Sequence, residues 1–173
     1  NKLGIRGSDT CELYFDNVKV PAENLIGNEG EGFKIALATL DGGRIGIASQ
    51  ALGIAQASLN ASVAYSNERI QFGKPISKNQ AIQFKIADMG MEIEAARLLI
   101  RQAAWKKDQK QNYGHLASMA KVYASEVAMR ASTQCVQIHG GFGYMRESGI
   151  ERLMRDAKIT QIYEGTSEIQ RIV

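Results

Sequence analysis

The stretch Ile82-Gln-Phe-Lys-Ile86-Ala-Asp-Met89-Gly-Met-Glu-Ile93-Glu-Ala-Ala96-Arg-Leu-Leu-Ile100-Arg-Gln-Ala103 decides the fold class. Ile82, Ile86, Met89, Ile93, Ala96, Ile100 and Ala103 step 4-3-4-3-4-3. That spacing sets seven side chains on one stripe of an α-helix. Such a stripe is an a/d seam, the pattern of helices packed antiparallel in a bundle. The pattern fades through Lys106-Lys107-Asp108, basic where the helix dipole favours cations.

Working outward, two further long helices follow the same logic. Phe33, Leu37, Leu40, Arg44, Ala48, Ala51, Ala55 and Leu59 form one face before a loop from Asn67 to Pro75. Leu116, Ala120, Tyr123, Val127, Ala131, Gln134 and Ile138 form another, after a polar loop from Gln109 to Gly114. It stops at Gly140-Gly141, a helix-ending signal. Glu151 to Ile159 reads as a short amphipathic helix, and Thr166 to Val173 begins another. The expected fold is all-α, an up-down four-helix bundle of three long helices and a shorter fourth. Gly42, Gly43, Gly46 and Gly53 lie inside the first helix, each costing up to about 1 kcal/mol relative to Ala. They signal either close approach by a neighbour or ligand, or a helix break at Gly42-Gly43.

The first 27 residues read differently. Leu13 and Phe15 alternate with Glu12 and Tyr14, Asp16-Asn17 signals a turn, and Val18 and Val20 resume the alternation before Pro21. This is a period-two hairpin pattern. One or two short strands make no stable sheet alone, so residues 1–27 read as the end of a β-domain and residues 28–173 as the bundle.

Composition agrees with an ordinary globular chain. Of 173 residues, 45% are hydrophobic and 23% charged, which excludes the disordered and collagen-like classes. The two prolines fall far below the usual ~5% and favour long helices. A net charge of +3, evenly spread, is too small to make nucleic acid a main partner. No apolar run reaches the ~18 residues of a membrane span. Cys11 and Cys135 are far apart and read as free thiols of a reducing compartment. His115 and His139 have no metal-ligand spacing, so no metal site is expected. The first residue is Asn rather than Met, which reads as a fragment or a processed product.

Four segments carry polar residues or glycines that a bundle does not require. In Tyr163-Glu164-Gly165-Thr166-Ser167-Glu168, Thr166 or Ser167 can cap the last helix. Glu164 there is either a solvated loop carboxylate or, under an apolar pocket, a desolvated one strong enough to act as a base. Arg69-Ile-Gln-Phe72-Gly73-Lys74-Pro75 is a rigid turn that could hold a phosphate, or an ordinary loop. Gln137-Ile-His139-Gly140-Gly141-Phe142-Gly143 lets a ligand approach the backbone, or simply ends a helix. No strand precedes it, so it is not a dinucleotide fingerprint. Asp41-Gly-Gly-Arg44 offers an i,i+3 ion pair.

Taken together, and with Arg155-Asp156-Ala157-Lys158 and Ile169-Gln170-Arg171, these segments strongly resemble the acyl-CoA dehydrogenases over the whole chain. Leu40 to Gly53 is most similar to the short-chain, butyryl-CoA branch. The resemblance implies a flavoenzyme that forms a trans-2-enoyl-CoA, with Glu164 as the base that takes the α-proton and FAD as hydride acceptor. It implies that Asp41, Arg44 and Gly165 serve the substrate. Thr166, Ser167 and Glu168 would hold the FAD of their own subunit. Arg69, Gln71, Phe72, Gln80, Gln137, Gly140 and Gly141 would reach the FAD of a neighbouring one. In some branches the base stands one residue before the Arg of the Asp-x-x-Arg motif; here that position is Gly43, which leaves Glu164 as the candidate. Implied partners are an acyl-CoA, an electron-transfer flavoprotein and further copies of the chain, as dimer or tetramer. Implied compartments are the bacterial cytoplasm or the mitochondrial matrix. The family's flavin-covering domain is not found in these residues, so the chain alone is expected to be inactive. An acyl-CoA oxidase-like enzyme and a non-catalytic helical oligomerisation domain are the alternatives.

Overall fold

A computed structural model describes residues 1–173. Six helices follow in order: α1 (Gly32–Glu68), α2 (Gln80–Asp108), α3 (Gly114–His139), α4 (Gly141–Tyr144), α5 (Ile150–Ile159) and α6 (Ser167–Ile172). The all-α bundle read from the sequence is the observed one. The α2 stripe does what its spacing dictates: Met89, Ile93, Ala96, Ile100 and Ala103 are its buried residues. α1, α2 and α3 pack on one another, and α5 closes the bundle against α3 and α1. No helix is long and apolar enough to cross a membrane.

The core is built from small side chains. Eleven of the thirty buried residues are alanines and seven are serines, so the helices approach closely. α1 turns Ala48, Ala51, Ala55, Ser58, Ser62 and Ser66 inward. The buried hydroxyls satisfy themselves within the helix: Ser58 donates to the Ile54 carbonyl at 2.9 Å and Ser62 to that of Ser58 at 2.8 Å.

α1 runs unbroken through Gly42-Gly43, which removes the helix-break reading. The loop that follows is tighter than its sequence indicates. β1 (Ile70–Gln71) pairs antiparallel with β2 (Lys74–Pro75), Ile70 opposite Pro75 and Gln71 opposite Lys74. Phe72 and Gly73, both at positive φ, make a two-residue hairpin turn.

The hairpin expected at residues 11–20 does not form. Those residues adopt no strand, and Leu13, Tyr14, Phe15, Val18 and Val20 are all exposed. Period-two alternation marks a half-buried strand, and the only sheet in these residues is β1–β2, so nothing covers the apolar face. What ties the N-terminal segment down is α5. The Ile5 amide donates to Asp156 Oδ1 at 2.7 Å, and Arg155 Nη1 donates to the Leu3 carbonyl at 2.8 Å.

Candidate active site

The turn between α5 and α6 is shaped by two consecutive residues in the left-handed region, Glu164 at φ +57° and Gly165 at φ +91°. A glycine suits the second on two counts. A side chain there would be strained, and its Cβ would stand 2.6 Å from Gln170 Nε2. Glu164 bears the strain without that excuse, at a cost on the order of 1–2 kcal/mol. The turn is held by its carbonyls. Gln170 Nε2 donates to the Glu164 and Gly165 carbonyls, each at 3.0 Å, and Lys121 Nζ donates to the Gly165 carbonyl at 2.6 Å. Thr166 caps α6, its hydroxyl accepting from the Ile169 amide.

This conformation lays the Glu164 carboxylate against Gly43 of α1. A Cβ added to Gly43 would lie 2.1 Å from Glu164 Oε2 and 2.9 Å from Oε1. Oε2 is buried and has no hydrogen-bond partner. Buried polar atoms are nearly always paired, so an unpaired carboxylate oxygen marks a group kept ready for another partner. The close-approach reading of the α1 glycines therefore holds at Gly43. At Gly46 and Gly53 an added Cβ would meet nothing.

Two cations stand near this carboxylate. Arg44 is buried, with Nη1 on Asp41 Oδ1 at 2.6 Å and on Ser118 Oγ of α3 at 3.3 Å. The expected Asp41–Arg44 pair is thus real, and half of it is interior. Lys121 of α3 has 0% exposure. Its pKa is lowered to about 8, chiefly by burial and secondly by the charge of Arg44, with Glu164 and Glu168 opposing both. Beside the turn, Tyr163 hydrogen-bonds Gln50 of α1, and its phenol is raised above the usual range, chiefly by burial.

Of the expected α6 residues, Thr166, Ser167 and Glu168 line one shallow pocket with Lys158 and Arg171. Ser167 Oγ is buried there without a partner. The Glu168 carboxyl is held below its ordinary range by its own amide and by the Thr166 hydroxyl.

Arg69, Gln71, Gly140 and Gly141 come together at a second site, an open cavity of about 630 Å³. Tyr65 stacks on His139 with ring centroids 4.2 Å apart, and Phe142 lies parallel to Tyr65 at 6.1 Å. Arg69 forms no ion pair within the chain. Flat aromatic faces beside a free guanidinium suit a ligand with a planar ring and a phosphate. Gln80 and Gln137 are exposed and do not line this cavity, and the Phe72 ring stands 96% exposed at the hairpin tip.

Sequence reasoning missed Lys121, Gln170, Tyr65 and His139 as site residues. For Lys121 a signal existed: Ala117, Lys121, Ala124 and Ala128 step by four, three and four, so one cation interrupts a stripe of small residues.

Comparison with known proteins identifies the family. The family model described as acyl-CoA dehydrogenase, C-terminal domain, matches residues 30–173. The chain is 57% identical over 173 residues to the short-chain specific acyl-CoA dehydrogenase, mitochondrial, of Rattus norvegicus, covering 100% of this chain and 42% of that protein. The structure of butyryl-CoA dehydrogenase from Megasphaera elsdenii superposes with a TM-score of 0.99 at 60% identity, over 100% of this chain and 45% of that one. A chain in a structure of the electron transferring flavoprotein of Acidaminococcus fermentans superposes with a TM-score of 0.98 at 57% identity, over 99% and 45%. The chain thus spans a little under half the length of the relatives it matches.

Proposed function

Since the chain belongs to the acyl-CoA dehydrogenase family, we propose that it is the helical part of an enzyme that oxidises a short-chain acyl-CoA to the trans-2-enoyl-CoA. The observation that carries this reading is Glu164: a carboxylate seated against Gly43, with one oxygen buried and unpartnered.

In this reading Glu164 is the base. Its carboxylate takes the α-proton of the thioester. The α-carbon is a weak acid, so the base must be desolvated and the thioester carbonyl must receive hydrogen bonds. Asp41, Arg44 and Gly165 serve the substrate, Arg44 from its buried place on Asp41 and Ser118. FAD, when bound, supplies the acceptor for the β-hydrogen as hydride. The residues present fit that cofactor. Thr166, Ser167 and Glu168, with the orphaned Ser167 hydroxyl, would hold it from one chain. Arg69, Gln71, Gly140 and Gly141 would hold it from a neighbouring copy, and the exposed Phe72, Gln80 and Gln137, outside that cavity, would reach it from the surface. An electron-transfer flavoprotein is the proposed acceptor of the electrons.

The same reading makes the protein a homo-oligomer. Phe84, Met91, Leu98 and Trp105 recur every seven residues on the outer face of α2, each more than half exposed. It also sets a domain boundary near residues 27 and 28, because residues 1–27 touch the bundle chiefly through Leu3, Gly4 and Ile5. By itself the 173-residue chain is proposed to be inactive.

The test is Glu164→Gln in the full-length enzyme. Flavin reduction by butyryl-CoA should slow by about 10²–10⁴-fold, the usual share of a general base. Reduction within tenfold of wild type would remove Glu164 from this role.

A further inference from the structure

Lys121 is the one fully buried ammonium in the chain. Its sole hydrogen-bond acceptor is the Gly165 carbonyl, at 2.6 Å. A buried cation with a single neutral acceptor is expensive, so its place in a bundle of alanines and serines calls for a reason beyond packing. The reason lies in the turn it holds. Glu164 and Gly165 both sit in the left-handed region, and a non-glycine residue stays there only when its surroundings over-determine it. Gln170 grips both carbonyls from the α6 side, and Lys121 grips the second from α3. The groups whose charges act on Lys121 are Arg44 on α1, Glu164 on the turn and Glu168 on α6.

We propose that Lys121 is a positioning residue for Glu164: its ammonium clamps the Gly165 carbonyl and so holds the Glu164 carboxylate in register against Gly43. The proposal rests on Glu164 being the base. It assigns the buried lysine a part in kcat rather than in substrate affinity, because Lys121 reaches the turn from behind and lies wholly inside the protein. A displacement of the order of 1 Å at a reacting group is enough to cost about 10²-fold in rate. The ammonium titrates near pH 8, so the clamp weakens within an accessible range. Below that pH the bond is charge-assisted; above it a neutral amine donates a weaker one.

The experiment uses the full-length holoenzyme with butyryl-CoA and compares wild type, Lys121→Met, Lys121→Gln and Glu164→Gln. Met keeps the buried stem and removes both donor and charge. Gln keeps a donor without the charge. Lys121→Met should lose about 10- to 100-fold in kcat, with KM within about threefold. Wild-type kcat should fall between about pH 7 and pH 9.5, and that fall should vanish in both Lys121 variants. Lys121→Gln should recover part of the kcat that Met loses. A Lys121→Met kcat within twofold of wild type overturns the proposal, as does a wild-type alkaline fall that persists in Lys121→Gln. If Lys121→Met does not fold, the Gln variant and the wild-type profile decide by the same criteria. An active Glu164→Gln overturns the base assignment itself. An inactive Glu164→Gln beside a fully active Lys121→Met overturns the clamp alone.

Discussion

Gly43 and Glu164 share one space, though 121 positions separate them in the chain. The glycine's missing side chain is where the carboxylate rests, with Oε2 2.1 Å from the point a Cβ would take. Helix and turn are therefore matched at a single atom.

Gly43→Ala tests that match. Helix propensity alone favours Ala by about 1 kcal/mol. The added methyl nevertheless forces the Glu164 carboxylate to move. In the full-length enzyme, activity and stability should separate, with kcat falling by about 10- to 100-fold while the thermal midpoint changes by only a few degrees. Steady-state kinetics beside calorimetry read both. An unchanged kcat would mean that the carboxylate has room to spare.

Ala55→Leu probes the bundle's close spacing. Ala55 has 0% exposure in a core of similarly small residues, so a larger side chain has no cavity to fill. Overpacking of this kind costs typically about 1–3 kcal/mol, measured as a lowered urea midpoint. No loss would show that α1 can shift outward without penalty.

The Glu151–Arg155 pair on α5 should give acid sensitivity. Arg155 donates to both Glu151 oxygens, and that bond, ahead of other causes, holds the Glu151 carboxyl below its ordinary range. A carboxyl with a depressed folded-state pKa contributes stability above its unfolded value of about 4.3. The contribution is lost as pH falls through the folded value. Glu151→Gln should lower stability by about 0.5–1 kcal/mol at neutral pH and by nothing at low pH. An equal loss at both would point to packing instead of charge.

The outer face of α2 bears on assembly. Met91→Glu with Leu98→Glu sets two charges into the exposed apolar row and should dissociate the proposed homo-oligomer. Light-scattering mass would drop to a smaller species while the helical circular dichroism stays unchanged. An unaltered mass would place the interface elsewhere.

Much of this was legible in the sequence, for physical reasons. The 4-3 spacing of Ile82 to Ala103 announces α2 because only one stripe of a helix can be buried at a time. Thr166 as the α6 cap and Gly140 as the end of α3 follow from local hydrogen-bond needs. Residues 11–20 misled because alternation describes a face and says nothing of what covers it. Lys121 escaped because periodicity ranks apolar residues and passes over a lysine, whose burial depends on a carbonyl 44 residues away. The density of glycine in α1 disclosed that something comes close, while the identity of that neighbour is a tertiary fact.

The alanine and serine seam between α1 and α3 has a thermodynamic consequence. Alanine has no side-chain rotamer freedom to lose on folding. Small side chains also bury little apolar area per residue, and exposure of apolar area is what raises the heat capacity on unfolding. Unfolding of the bundle should therefore carry a heat-capacity increment below the usual ~12–15 cal/mol/K per residue. Its stability curve is flatter for that, varying little with temperature because so much of the core is backbone brought close to backbone.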